Sequence, residues 1–305
     1  MSTVLKALFC LIVMCMPVSL VLGERTLMSS TVQQAPAPLD FVSDGFIYAA
    51  GTSGVVNKYW ASNMTVSASG LYPTRVSVLC ADGTYVYAGG DAGKVFQFWA
   101  SNMTKRTESG SYGGSLYALH ADGTYVYAGG GTTQRVYQYW PSNMSRKAQT
   151  VVYGGNINNI ASDDTFLYAG GYMLGPSTAK VCQYWKSNLT KRAETAAYGT
   201  GINGLVTDGS YVYASGAPTG KVYKYSVASL SKVGESPYYG GNINSLAING
   251  SFVYAGGMGS YVVSQYWTSN LSKRQDAPSY GYAINGVGAD GKSVQVFGRV
   301  PVESR

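Results

Sequence analysis

The sequence predicts an all-β protein: a seven-bladed β-propeller built from four-stranded blades of about 40 residues each. Three observations support this. A short phrase recurs along most of the chain, its interval is that of one blade, and the intervening segments read as short strands between turns. The phrase opens with Asp-Gly or a close variant at positions 44, 82, 122, 163, 208, 249 and 290, so its intervals run from 38 to 45 residues.

The residues of the repeated phrase predict a hairpin turn followed by the second strand of each blade. Its clearest copies, from residues 82 and 122, read Asp-Gly-Thr-Tyr-Val-Tyr-Ala-Gly-Gly. Asp-Gly is typical of a two-residue hairpin turn, Tyr-Val-Tyr favours a strand, and Gly-Gly permits close approach between sheets. In the unit 202–241 we predict strands at 202–207, 211–214, 221–225 and 232–238. An up-and-down meander then places turns one–two and three–four at one end, and connections two–three and four–one at the other.

The number of blades follows from the predicted innermost strands. The seventh unit offers a strand at 293–298 and a possible third strand at 299–304. We therefore expect residues 24–37, Thr26–Gln34 in particular, to supply the missing outer strand and close a propeller domain at 38–305. The alternative is six blades with both termini free to pair elsewhere. The innermost strands begin at Leu39, Val76, Leu116, Ile157, Ile202, Ile243 and Ile284.

The N-terminus predicts secretion. Lys6 precedes an apolar run from Ala7 to Leu22, and small or neutral residues lead to a cleavage point before Glu24. This pattern favours a signal peptide at 1–23 over an uncleaved anchor, and no later segment is apolar enough to cross a membrane. The mature chain retains Cys80 and Cys182, on strands of non-adjacent repeats, so a disulfide is not expected. A net charge of +7 with 12% charged residues permits acidic partners but fits nucleic acid poorly.

The repeat resembles secreted β-propellers loosely grouped with the YVTN, NHL, PQQ-type and WD40-like families. The resemblance rests on the Asp-Gly turn, the Tyr-Val-Tyr-Ala-Gly-Gly strand and the Lys-Val-Tyr-Gln-Tyr-Trp strand. It covers nearly the whole mature chain and implies the fold. The Gly-His and Trp-Asp signatures of true WD40 repeats are absent, as is the Trp-Gly ending of quinoprotein blades, so no particular ligand is implied.

Two sets of asparagines are candidate sites. Six lie in Asn-X-Ser/Thr sequons and are predicted to carry N-linked glycans at exposed hairpin tips, although Ser-Asn is also ordinary turn chemistry. Four others share one position at the start of the innermost strand. They would surround one mouth of the ring, as a polar ligand site or as partners of backbone groups. The sequons are Asn63, Asn102, Asn143, Asn188, Asn249 and Asn270, and the inner-strand set is Asn158, Asn203, Asn244 and Asn285.

Other repeated residues have structural interpretations. A Trp ends the third strand in five repeats and is expected to pack between blades rather than to bind sugar. Basic pairs such as Lys105-Arg106 follow the sequons; we interpret them as protecting strand edges in preference to forming an anion-binding girdle. His120, the one histidine, lies among apolar residues on an inner strand, where packing is the expected role.

The function predicted is therefore binding without catalysis. No catalytic residue, metal ligand or cofactor motif stands out. We expect a secreted, extracellular protein that binds a carbohydrate, matrix or cell-surface partner through its loop-rich face, with no nucleic-acid partner. A structural subunit that self-associates into a filament or other assembly is the alternative, and a propeller-type hydrolase or lyase ranks below both.

Overall fold

The computed structural model describes residues 45–173, 175, 178–289 and 294–298 of the 305-residue chain. These residues form 25 β-strands and no helix. All pairings between the strands are antiparallel, and the strands follow one another as meanders. The predicted all-β class and the propeller-like succession of small sheets are thus confirmed for the described part of the chain.

The strands form seven successive antiparallel meanders, numbered here as sheets one to seven, of which the first has three described strands, the next five have four each and the last has two. The fourth and fifth are joined into one eight-stranded sheet, because Tyr172 of the fourth pairs with Gly201 of the fifth. The first three sheets are β1 (Phe46–Ala50), β2 (Val55–Trp60) and β3 (Val66–Leu71); β4 (Val76–Ala81), β5 (Tyr85–Gly90), β6 (Phe96–Trp99) and β7 (Lys105–Glu108); and β8 (Leu116–Ala121), β9 (Val126–Gly130), β10 (Tyr137–Tyr139) and β11 (Arg146–Gln149). The fourth to sixth are β12 (Gly155–Ser162), β13 (Phe166–Met173), β14 (Cys182–Trp185) and β15 (Lys191–Glu194); β16 (Gly201–Thr207), β17 (Tyr211–Ala217), β18 (Tyr223–Ser226) and β19 (Lys232–Glu235); and β20 (Ile243–Asn249), β21 (Phe252–Gly257), β22 (Val263–Trp267) and β23 (Lys273–Asp276). The seventh is β24 (Ile284–Ala289) and β25 (Val294–Gly298).

The innermost strands form a continuous wall. Strands β4, β8, β12, β16, β20 and β24 lie side by side in chain order. The second strands of the second to sixth sheets are largely buried on both faces because a neighbouring sheet covers each side, as Val86 and Tyr87 of β5 illustrate. Tyr87 packs with Leu116 and Val126 of the following sheet, so each core belongs to two sheets at once.

Hydrogen bonds tie neighbouring sheets together at both ends. At one end, a buried Tyr of each of the first five four–one connections donates its hydroxyl proton to a carbonyl just before the third strand of the next sheet. At the other end, a Gln or Lys in the middle of the third strand, here named the clamp residue, donates to carbonyls of the next sheet's three–four turn. The clamp contacts are Lys58 to Ala100 (2.6 Å), Gln97 to Pro141 (2.9 Å), Gln138 to Lys186 (3.0 Å), Gln183 to Val227 (2.9 Å) and Lys224 to Thr268 (2.7 Å).

The fifth sheet shows how close the sequence prediction comes. All four strands lie where they were predicted, but their ends differ. The second strand extends to Ala217 rather than to 214, the third runs from Tyr223 to Ser226 rather than from 221 to 225, and the fourth ends at Glu235 rather than at 238. Beyond Glu235 the pairing is only partly made by the backbone: Ser236 N still donates to Val222 O at 2.9 Å, but the amide proton of Val222 is accepted by Ser236 Oγ, which donates to the carbonyl of Pro237. The one–two and three–four turns lie at the same end as predicted, since Val227 N donates to Ser210 O at 3.1 Å.

Several predictions fall outside the described residues. These are the signal peptide at 1–23, the closing segment 24–37, the strand beginning at Leu39 and the possible third strand at 299–304. Within the described part, no helix has the length and apolar character needed to span a membrane. Cys80 and Cys182 are buried in the second and fourth sheets and are not joined by a disulfide.

Candidate ligand-binding face

The predicted inner-strand asparagines occupy a shared backbone irregularity. In each of the six described innermost strands the pairing register shifts by one residue at this position, which is a β-bulge. A bulged residue has no direct partner in the ladder, and bulges occur often beside binding sites. The bulged residues are Ser77, Tyr117, Asn158, Asn203, Asn244 and Asn285.

The four asparagines do not all have the same surroundings. Asn158 and Asn203 are each only 6% exposed, whereas Asn244 and Asn285 are half-buried. Asn244 Nδ2 donates to Ile284 O at 3.0 Å, so this residue satisfies a backbone group of the next sheet. Asn203 Oδ1 and Ser77 Oγ have no hydrogen-bond partner among the described residues. Because a buried polar atom is costly to leave unpaired, Asn203 offers an acceptor that a ligand hydroxyl could satisfy.

Most residues of the loops beside these asparagines are uncharged. We name the uncharged part of these loops, at this end of the fourth to seventh sheets, the neutral sector. It comprises residues 150–155, 172–173, 175, 178–179, 195–201, 217–220, 236–242, 257–262 and 277–283. The two lysines that follow it in the two–three loops, Lys180 and Lys221, form ion pairs with Glu194 and Glu235. The same end of the second sheet differs: there Arg75 Nε and Asp91 Oδ2 form an ion pair at 3.1 Å.

The neutral sector exposes aromatic rings. Tyr172, Tyr238, Tyr261 and Tyr282 are between 37% and 60% exposed. Two of these rings lie flat against glycines: a Cβ on Gly201 would come within 2.6 Å of the Tyr172 ring, and one on Gly220 within 2.5 Å of the Tyr238 ring. The glycines therefore allow the rings to lie where they do. Sequence reasoning did not single out these tyrosines, although the absence of charge in their loops was a usable signal.

The predicted glycosylation sites lie at the opposite end of the sheets. Five of the six asparagines are exposed on three–four turns, and Asn249 is half-buried on the one–two turn of the sixth sheet. In the first of these turns, Asn63 Oδ1 accepts both the amide proton and the hydroxyl proton of Thr65, at 3.0 and 2.8 Å. The middle residue of each such sequon has a positive φ, as at Met103 (59°).

The interpretation of the tryptophans as packing between blades is wrong. Trp60, Trp99, Trp140, Trp185 and Trp267 are 39 to 42% exposed. Each ring contacts an aromatic residue of its own sheet, as Trp99 contacts its cross-strand partner Tyr85 with ring centroids 5.0 Å apart. The reason is position: the Trp ends its strand beside the three–four turn, where it covers its own hairpin rather than a neighbour.

The basic pairs divide into two roles that neither interpretation anticipated. In three of the four pairs the first member makes an ion pair within its strand, as Lys105 Nζ does with Glu108 Oε2 at 2.6 Å; in the other, Arg146 lies over the Tyr137 ring. The second extends the clamp: Arg106 donates to Gln97 Oε1 at 2.8 Å and to Ser142 O of the next sheet at 2.7 Å. Most of these side chains are therefore engaged inside the protein.

The described residues offer little of the chemistry of an acid–base or metal site. His120 is buried, stacks on Tyr127 and shares a hydrogen bond with Ser162 Oγ at 2.8 Å, so its predicted packing role is confirmed. Among these residues no group of three His, Cys, Asp or Glu side chains could hold a metal ion.

The chain matches no protein-family model and no curated protein sequence. The repeated antiparallel sheets are observed, and membership of a particular propeller family remains a prediction.

Proposed function

We propose that this protein binds a neutral carbohydrate on the neutral sector, without catalysing a reaction. The observation that carries the proposal is the coincidence on one sector of exposed tyrosines, bulged asparagines and uncharged loop residues, beside which Lys180 and Lys221 are each paired with a glutamate. Flat aromatic rings contact the C–H faces of sugars, and amide groups both donate to and accept from hydroxyls. A charged polysaccharide would instead call for basic side chains at the site.

The setting proposed for this site is a closed ring of seven sheets in a secreted protein. The order of the inner strands, together with the predicted strand at Leu39, supports seven rather than six. The apolar run from Ala7 to Leu22 supports passage through a secretory membrane. Such a protein would meet carbohydrate on extracellular surfaces or in a matrix.

Glycan-array binding tests the proposal. The purified full chain is expected to be retained on neutral glycans and not on sulfated or uronic-acid glycans. Tyr238→Ala removes the most exposed ring and Asn203→Ala removes the unpaired acceptor, so each should weaken binding by tenfold or more while the fold is preserved. Ser77→Ala, at the equivalent bulge outside the neutral sector, is the matched control and should bind normally.

Three results would contradict this function. Retention on anionic glycans alone would contradict a neutral ligand, since Lys180 and Lys221 beside the sector are already paired with glutamates. Normal binding by both variants would exclude the sector. Formation of large oligomers in size-exclusion chromatography, with no glycan retained, would favour the structural-subunit alternative.

A further inference from the structure

The sequon turns bring an asparagine and an exposed tryptophan together. In the sequence Trp60-Ala61-Ser62-Asn63-Met64-Thr65 the chain reverses over four residues: Trp60 N donates to Thr65 O at 2.9 Å, and Met64 N donates to Trp60 O at 2.8 Å. Asn63 is exposed and its Oδ1 is held by Thr65, which leaves Nδ2 without a hydrogen bond to the described residues. The same turn recurs at Trp99, Trp140, Trp185 and Trp267, each three residues before a sequon asparagine.

The fifth sheet shows that the turn itself needs neither residue. There Ser226 stands in place of the tryptophan and Ser229 in place of the asparagine. The backbone is nevertheless unchanged: Leu230 N donates to Ser226 O at 2.8 Å, and Leu230 has a φ of 52°. Thus five turns have both residues and the sixth has neither. The pairing of tryptophan with asparagine therefore calls for an explanation beyond turn geometry.

The basic residue above the ring does not provide that explanation. Arg106 and its counterparts lie over the tryptophan rings in four sheets, with Arg106 Cζ 5.5 Å from the centroid of Trp99. In the first sheet the equivalent residue is Ser67, yet Trp60 and Asn63 are both present. Tryptophan thus accompanies the sequon asparagine whether or not a cation is available to stack on it.

We propose that each Trp-X-X-Asn turn is an N-glycosylation site whose first sugar stacks on the exposed tryptophan ring and stabilises the hairpin. The asparagine Nδ2 would attack the anomeric carbon of a lipid-diphosphate-linked oligosaccharide, supplied by the secretory pathway. The new bond joins Nδ2 to this carbon, the bond from the carbon to the diphosphate oxygen breaks, and Nδ2 loses one proton. The aromatic ring three residues earlier then offers a surface to the apolar C–H face of that sugar.

The proposal distinguishes the sequon at Asn249 from the other five sequons. Asn249 lies on a one–two turn, is half-buried and has Leu246 three residues before it, so a sugar there would find no ring. The five tryptophan turns are expected to be occupied and stabilised. The proposal is independent of glycan binding on the neutral sector, because these turns lie at the other end of the sheets.

A gain-of-function test uses the fifth sheet. The full chain is secreted from mammalian cells, its glycans are trimmed to the first N-acetylglucosamine, and occupancy is read by site-resolved mass spectrometry. Ser229→Asn creates a sequon without tryptophan, and adding Ser226→Trp completes the turn. We expect the glycan to raise the melting temperature by about 2 °C in the double variant, and by much less in Ser229→Asn alone.

A loss-of-function cycle tests a native turn. The change in melting temperature that the sugar causes is measured by comparing the Asn102 protein with Asn102→Gln. This comparison is made twice, once with Trp99 present and once in the Trp99→Leu variant. The cycle removes any destabilisation that Trp99→Leu causes by itself. The shift should be present with Trp99 and lost without it. Absence of glycan from all five turns, or a shift that does not depend on the tryptophan, would overturn the proposal.

Discussion

Asp208 shows how one side chain organises a whole hairpin. Its Oδ1 accepts the amide protons of Ser210 and Tyr211 at 2.9 and 2.7 Å, and its Oδ2 accepts the hydroxyl proton of Tyr213 at 2.8 Å. The two central turn residues are Gly209 and Ser210, and only Gly209 has a positive φ, of 86°. The aspartate of the repeated phrase therefore precedes the turn and caps it, rather than adopting the strained conformation itself.

Replacing this aspartate should be costly. Asp208→Ala leaves two amide protons without their acceptor and leaves the Tyr213 hydroxyl only its longer bond to Thr268 O at 3.3 Å, so we expect a loss of about 2 kcal/mol of folding free energy in urea titrations. The sixth sheet provides the control. Asn249 caps no amide in the described structure, and Tyr254 instead receives a proton from Gln265 Nε2 at 3.0 Å. Asn249→Ala should change stability by no more than about 0.5 kcal/mol. Equal losses in the two variants would refute the capping role.

Between neighbouring sheets, the clamp exists in two versions. Where the clamp residue is glutamine, a basic residue on the fourth strand occupies its Oε1, as Arg192 does for Gln183 at 2.6 Å. Where it is lysine, as in the first and fifth sheets, the equivalent fourth-strand residues are Ser67 and Val233. Lys224 Nζ reaches both turn carbonyls by itself, at 2.7 and 3.0 Å, and so needs no second donor.

The two versions should be interchangeable only as a pair. Arg106→Val leaves the fully buried Gln97 without a donor at Oε1 and is expected to cost about 1 to 3 kcal/mol in urea titrations. Adding Gln97→Lys reproduces the arrangement of the fifth sheet and should restore most of this loss. A double variant no more stable than Arg106→Val would contradict the equivalence.

The outer strands are stabilised by acids held between two lysines. Hydrogen bonds from Lys221 and then Lys232 lower the pKa of Glu235 to about 2. The pKa values of Glu108 and Glu194 are lowered by equivalent lysine pairs. A lowered pKa stabilises the fold only while the acid is ionised, so this contribution is complete above about pH 4.5 and is lost as the pH falls towards 2.

This linkage gives a test with an internal control. Glu235→Gln should lower stability at pH 7 by less than about 1 kcal/mol, because the ion pairs are partly exposed. The difference from the native chain should vanish near pH 2. Gln149 occupies the same position in the third sheet, so Gln149→Ala should show no such pH dependence. A Glu235→Gln effect that persists undiminished at pH 2 would argue against the ion pairs as its cause.

On the scale of the whole molecule, the described residues contain one well-buried ion pair between two sheets. Lys186 Nζ lies 2.7 Å from Asp122 Oδ2, with side chains only 15% and 8% exposed, and it links the fourth sheet to the third. Burial alone would raise the pKa of Asp122, but the hydrogen bond from Lys186 and two backbone amides hold it below its usual value. Removing the lysine would leave a buried charge between two sheets.

Lys186→Met should therefore lower the unfolding free energy by about 3 kcal/mol. Because every core is shared by two sheets, we expect one transition to shift as a whole rather than to split. Tryptophan fluorescence, which reports on five sheets, and far-ultraviolet circular dichroism should give coincident urea curves. Asp122→Asn in the same chain should recover part of the loss. Two separate transitions would mean that the sheets on either side of this interface unfold independently.

The sequence predicted well the features that repeat within each sheet, namely the turns, the strands and the shared position of Asn158 and its counterparts. What it missed lies between sheets. The clamps end on backbone carbonyls, which have no sequence signature, and the exposure of Trp99 depends on where the next sheet lies. The sequence did contain one indication of the clamp, because two positions vary together between repeats: Gln97 occurs with Arg106, whereas Lys224 occurs with Val233.

The clamp has a further consequence for how such a chain can be altered. The carbonyls that receive it belong to Ala100, Pro141, Lys186, Val227 and Thr268, five different residue types that accept in the same way. The hydrogen bonds at this end of each interface therefore depend on the position of the neighbouring backbone and not on its side chains. A complete four-stranded repeat could be duplicated, or exchanged for another, and still accept the clamp hydrogen bond from the preceding sheet.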